Sequence, residues 1–160
     1  MSSGLRDRRR LVLFVLLLSA LPAAIVRAQL QSFPTASLAI VTASGMHKFT
    51  VEVATAPAQQ EQGLMFRQHL APNAGMIFDF GTPQTTSFWM KNTWIPLDML
   101  FVDATGRIIN IHERAVPRSL TPIASEAPAR AVIELNGGTA TRLDIRPGDR
   151  VIFPIFGNAR

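Results

Sequence analysis

From Met46 onward, turn-forming residues interrupt the chain at intervals of roughly 8–14 residues, which leaves room only for short strands. His47, Phe49, Val51 and Val53 alternate with Lys48, Thr50 and Glu52, the period of a half-buried strand. Further strands are expected at 75–80, 85–91, 97–103, 107–112, 130–135 and 150–156, with a hairpin turning at Asp103-Ala104-Thr105-Gly106. Helical signal is confined to two short pieces. One is Ala58–Gln62, opened by Pro57 and closed by Gly63; the other falls within 137–143. Pro117, Pro122 and Pro128 mark an irregular stretch from Arg114 to Ala127. The pattern predicts a mostly β, compact single-domain β-sandwich or barrel with one or two short helices. It spans residues 46–157, with 29–45 as a linker or N-terminal extension.

Residues 1–28 have the plan of a secretory signal peptide. Arg6–Arg10 is basic, Leu11–Leu18 is an unbroken apolar run, Pro22 breaks it, and Val26-Arg27-Ala28 offers small residues before Gln29. Leu11 to Val26 is shorter than the ~20 residues of a spanning helix. The expected location is therefore periplasmic or secreted, with membrane contact only through the leader before its cleavage near Ala28.

The formal charge of +5 belongs mostly to that leader. It holds five of the 16 basic residues and one of the 11 acidic ones, which leaves +1 on the rest. Phosphate binding needs clustered cations, so no nucleic-acid partner is expected. Cysteine is absent, which excludes disulfides, thiolate catalysis, Cys-ligated metal and a lipoprotein-type anchor. The methionines and histidines show no ligand spacing, and Met in strands is ordinarily core filler. No metal or cofactor is expected.

Ser87–Asp98 holds both tryptophans and ends with a carboxylate inside an apolar run. Alternation places Leu97, Met99 and Phe101 on one face, and Asp98, Leu100 and Val102 on the other. Asp98 is thus expected to be partly buried and to need a cation or several donors; Lys91, Arg67 and the Asn92-Thr93 turn are the candidates. On the preceding strand Phe88, Met90 and Asn92 point one way, and Trp89, Lys91 and Thr93 the other. Glu134 sits in an apolar run just before Gly137-Gly138 and raises the question of a carboxylate pair with Asp98.

Gly63-Leu64-Met65-Phe66-Arg67, Gly75-Met76-Ile77-Phe78, Phe88-Trp89-Met90-Lys91-Asn92-Thr93, Pro96-Leu97-Asp98 and Glu134-Leu135-Asn136-Gly137-Gly138 resemble the domain of unknown function 192 family. The resemblance runs from about Lys48 to Phe153. It implies a compact, mostly β domain, found in bacteria and archaea and often exported, and implies no activity. The expected role is binding of a small polar molecule or a cell-envelope polymer by Arg67, Trp89, Lys91, Asn92, Asp98 and Glu134. The alternatives are a hydrolase using Asp98 and Glu134, and a protein–protein module using a sheet edge or the 115–128 loop.

Overall fold

The computed structural model of the protein describes residues 30–159. The leader expected at 1–28 lies outside them. The domain is mostly β, built on one curled seven-stranded sheet with a small two-stranded sheet beside it.

The first strand, β1 (Thr35–Thr42), pairs antiparallel with β2 (Gly45–Ala54). Residues 35–42 had been expected inside the linker, and that boundary is corrected. Ala36, Leu38 and Ile40 alternate toward the core, and Leu38 and Ile40 are fully buried. Small or polar neighbours, Ser37 and Ala39, weaken this period in the sequence.

The short helix α1 (Pro57–Gln62) carries the chain from β2 to β3 (Ala74–Gln84), which lies parallel to β2. Pro57 takes the first turn, where its missing N–H costs nothing. Gln59 Oε1 accepts the Ala56 N–H at 3.1 Å, and the Gly63 N–H closes the helix on the Gln59 carbonyl.

Then come β4 (Ser87–Phe88), β5 (Leu97–Val102), β6 (Ile108–Ala115), β7 (Ile123–Ala124), β8 (Ala129–Asn136), α2 (Thr139–Leu143) and β9 (Arg150–Ile152). The main sheet runs β6-β5-β8-β3-β2-β1-β9, and β4 pairs with β7.

Two expected strands are shorter than read. Only Ser87–Phe88 of 85–91 is extended, because Thr93 N–H turns back to the Met90 carbonyl and the Met90 N–H goes to Ser119. The last strand ends at Ile152, and Pro154 opens a single 3-10 turn.

The two ends of the sheet meet, so the sheet curls into a half-barrel closed by a few main-chain bonds. The Ile108 N–H donates to the Asp149 carbonyl at 2.9 Å, and the Val151 N–H donates to the Gly106 carbonyl at 2.7 Å.

Apolar side chains pack on both faces of the sheet. Inside the curl lie Leu38, Ile40, Phe49, Val51, Ile77, Leu100, Val102, Ile133, Leu135 and Val151. Outside it lie Met76, Phe78, Leu97, Met99, Phe101 and Val132, covered by Leu64, Met90, Ile95 and Ile123 from the loops. Every residue of β5 is buried, because β5 is packed on both faces.

Gly106 is where closure depends on a single residue. Its φ is +84°, and a Cβ there would come within 2.6 Å of the Val151 carbonyl oxygen. Gly106→Ala therefore combines left-handed strain with a backbone clash. We expect it to lower stability by about 2–4 kcal/mol. A urea melt checks this; a loss under about 0.5 kcal/mol would show that the closure is loose.

Candidate functional site

The register of β5, β8 and β3 decides where the two carboxylates go. Asp98 is opposite Leu135, while Glu134 lies between Met99 and Met76 on its two neighbours. Side chains opposite one another share a face. Asp98 thus points with Leu135 into the curl, and Glu134 points with Met76 and Met99 to the outer face. The carboxylate pair required by the hydrolase reading is not formed, because one sheet separates its members.

Asp98 is fully buried and satisfied by main-chain donors. Its Oδ1 accepts the Arg114 N–H at 2.8 Å and the Gly138 N–H at 2.9 Å, and its Oδ2 accepts the Ala140 N–H at 2.7 Å. It caps α2 from another strand, a task that the helix's own N-cap, Gly138, cannot perform without a side chain. Neither Lys91, Arg67 nor the Asn92-Thr93 turn is its partner, which corrects that expectation. The clasp ties β5, the end of β6 and α2 together.

Arg67 also lies elsewhere than expected. Its two Nη atoms bond the two Glu52 carboxylate oxygens at 2.6 and 2.7 Å, a bidentate pair to β2.

The remaining four candidates line one cavity of about 630 Å³: Trp89, Lys91, Asn92 and Glu134. Its walls come from α1 and the turn after it, from β3, and from the segment around β4. Phe78, Phe80, Phe88, Leu64 and Met65 are among the apolar side chains that line it, with Leu30 and Phe66. Trp89 is 50% exposed, and Lys91 Nζ stands 5.3 Å from its ring centroid. Phe66 and Asn92 both hold left-handed backbone (φ 66° and 55°), and the Phe66 N–H donates to the Asn92 carbonyl at 2.8 Å. Such strain in non-glycine residues persists only where the surroundings enforce it. Gln60, on α1, anchors the wall by donating from Nε2 to the Asp79 carbonyl at 2.8 Å.

Sequence reading missed Phe66, Phe78, Phe80 and Phe88 as lining residues. The available signal was the position of Phe66, Phe78 and Phe88 within the family-like motifs. Periodicity assigns such aromatics to the core, and here that core opens to a cavity.

Glu134 is the unusual group. It is 4% exposed and lines the cavity. Among the described residues no cation pairs with its carboxyl, and no side-chain hydrogen bond reaches it. Burial among apolar side chains pushes its pKa up to about 8. Among the described residues no group of three or more His, Asp or Glu could hold a metal ion.

The family model described as "Uncharacterized ACR", DUF192, matches residues 39–153. The chain belongs to the DUF192 family. No curated protein matches it. Two crystal structures resemble the DUF192 domain closely. A candidate transcription regulator from Sinorhizobium meliloti 1021 is 49% identical, with a TM-score of 0.74 over 77% of this chain and 96% of that one. A protein of unknown function from Novosphingobium aromaticivorans DSM 12444 is 44% identical, with a TM-score of 0.73 over 74% of this chain and 85% of that one.

Two predictions separate the carboxylates of this DUF192 domain. Asp98→Asn keeps one oxygen but must leave a donor facing a donor at one N–H. It should cost about 2–4 kcal/mol in a denaturant melt, whereas an exposed carboxylate would cost almost nothing.

Glu134 has the opposite sign. Its folded pKa lies above the unfolded value near 4.5, so the folded state holds the proton more tightly. Stability is full below about pH 4.5 and falls as pH rises through about 8. Glu134→Gln should remove that decline and stabilise the domain at pH 9 by about 2–4 kcal/mol. Thermal melts from pH 5 to 9 test this; parallel curves for the two proteins would mean that Glu134 is solvated.

Proposed function

We propose that this DUF192 domain binds a small molecule in the Trp89–Glu134 cavity, with an apolar or aromatic body against the phenylalanines and a polar end at Glu134. The observation that carries the reading is the buried Glu134 carboxyl facing that cavity, which has no partner among the described residues. A carboxyl in such a place lowers stability, and a ligand group offers what the fold withholds. The cavity also has the size usual for small-molecule sites, and its lining mixes apolar and aromatic side chains with polar ones such as Gln60, Asn92 and Glu134. This narrows the expected small polar ligand to one with a substantial apolar part. A cell-envelope component fits the export that we propose from the leader at residues 1–28.

A direct nucleic-acid role is not part of the proposal. The Sinorhizobium neighbour is described as a candidate regulator. The helices here, α1 with 6 residues and α2 with 5, are too short to read a groove. The chain beyond the leader carries only +1.

The test is a thermal-shift screen of the purified protein against small amphipathic compounds. A ligand at 100 times its Kd should add about 2.7 kcal/mol. Its shift should shrink in Trp89→Ala and Glu134→Gln and persist in Arg67→Ala, whose side chain is committed to Glu52. Hits equally sensitive to Arg67→Ala and indifferent to Glu134→Gln would place binding elsewhere.

A further inference from the structure

We infer that the cavity takes an organic cation, an ammonium group borne on an aromatic or aliphatic body, with Glu134 as its counter-ion. The inference rests on the small-molecule reading above and names the class of ligand.

Three observations lead to it. First, the buried Glu134 side chain opens on the cavity, and among the described residues neither a cation nor a hydrogen-bond donor meets its carboxyl. Its immediate strand neighbours on that face are Met76 and Met99, both fully buried, and the Arg67 guanidinium, one strand beyond Met76, is committed to Glu52. A cation bound there restores what burial removes. Second, five aromatic side chains line the cavity: Phe66, Phe78, Phe80, Phe88 and Trp89, of which Phe66 and Trp89 are exposed. Ring faces carry negative potential and attract cations, most strongly when water is excluded. Third, the outermost ring already holds one, since Lys91 Nζ lies over Trp89 at 5.3 Å.

An anion fits worse. It would meet Glu134 and the ring faces, and only Lys91 would favour it. The ionic groups facing the cavity besides Glu134 are Lys91, from the turn after β4, and Glu61, from α1; both are exposed. Water screens them, and their charges are opposite.

Binding of the cation requires the carboxylate form, so the complex releases the proton that Glu134 otherwise holds below about pH 8. This coupling gives the experiment its readout. Benzyltrimethylammonium, whose charge is fixed at every pH, and benzyl alcohol, its neutral counterpart, are titrated into the full-length protein by calorimetry at pH 6, 7, 8 and 9. The expected result is that the quaternary ammonium binds about tenfold more tightly per pH unit from 6 to 8 and then levels off. Glu134→Gln should abolish that dependence and weaken binding at pH 9 by at least about tenfold. Trp89→Leu should weaken binding several-fold while leaving the pH profile in place.

Binding of benzyl alcohol without the ammonium would overturn the cation assignment and leave the cavity reading standing. So would ammonium binding that is flat with pH and unchanged in Glu134→Gln. Binding of neither compound would overturn the small-molecule reading and the cation assignment together.

Discussion

The pairing of β5 with β8 sets most of what matters in this domain. These strands lie at the centre of one half of the sheet and are packed on both faces, so nearly every side chain they carry is committed to a core. Each strand nevertheless holds a carboxyl group in the middle of its apolar run. Antiparallel register aligns Asp98 with Leu135 and Met99 with Glu134, and the pleat sends the two acids to opposite sides. A slip of one residue would exchange their surroundings and bury the wrong side chains on each face.

The two acids then meet opposite electrostatic conditions. Asp98 ends beside the start of α2, where two orphan main-chain N–H groups find an acceptor in it, joined by the Arg114 N–H of β6. It is a fold-making residue, and the local charge is spread over backbone dipoles. Glu134 ends among methionines and phenylalanines with no donor supplied. Burial then favours the protonated acid, and the domain is less stable at alkaline pH for carrying it. Nothing in the packing requires an acid at that position.

The cavity lies where α1, the turn after it and the segment around β4 roof the outer core. Main-chain bonds hold these segments at a few points: Phe66 to Asn92, Met90 to Ser119 and Arg118 to Thr93. Two of the residues at the first of these bonds adopt left-handed backbone, so the roof is braced in a strained geometry. The exposed rings of Phe66 and Trp94 meet edge to face outside it. The solved DUF192 relatives share the fold over most of their length, which makes the sheet beneath the cavity a common framework.

What the sequence determined by itself is whatever depends on neighbours along the chain. Alternation marked β2; turn signals bounded the apolar runs of β3, β5 and β8; Pro57 and Gly63 bounded α1; and Gly106 marked the hairpin turn where φ is positive. Alternation also grouped Phe88, Met90 and Asn92 against Trp89, Lys91 and Thr93; Met90 is buried and Trp89 exposed as that grouping suits, but Asn92 is exposed and Thr93 buried, because the strand there is only two residues long. The family-like motifs drew attention to Trp89, Lys91, Asn92 and Glu134, which meet at one cavity. Only the tertiary structure decided the partners. Asp98 is bonded to main-chain groups 16, 40 and 42 residues away. Arg67 is taken by Glu52, and β1 is a strand because β2 and β9 flank it. Periodicity reports which face a side chain occupies, because that face is set by local backbone geometry. It carries no record of which distant donor or cation will stand opposite, because sheet register and loop packing bring those groups together only when the whole chain folds.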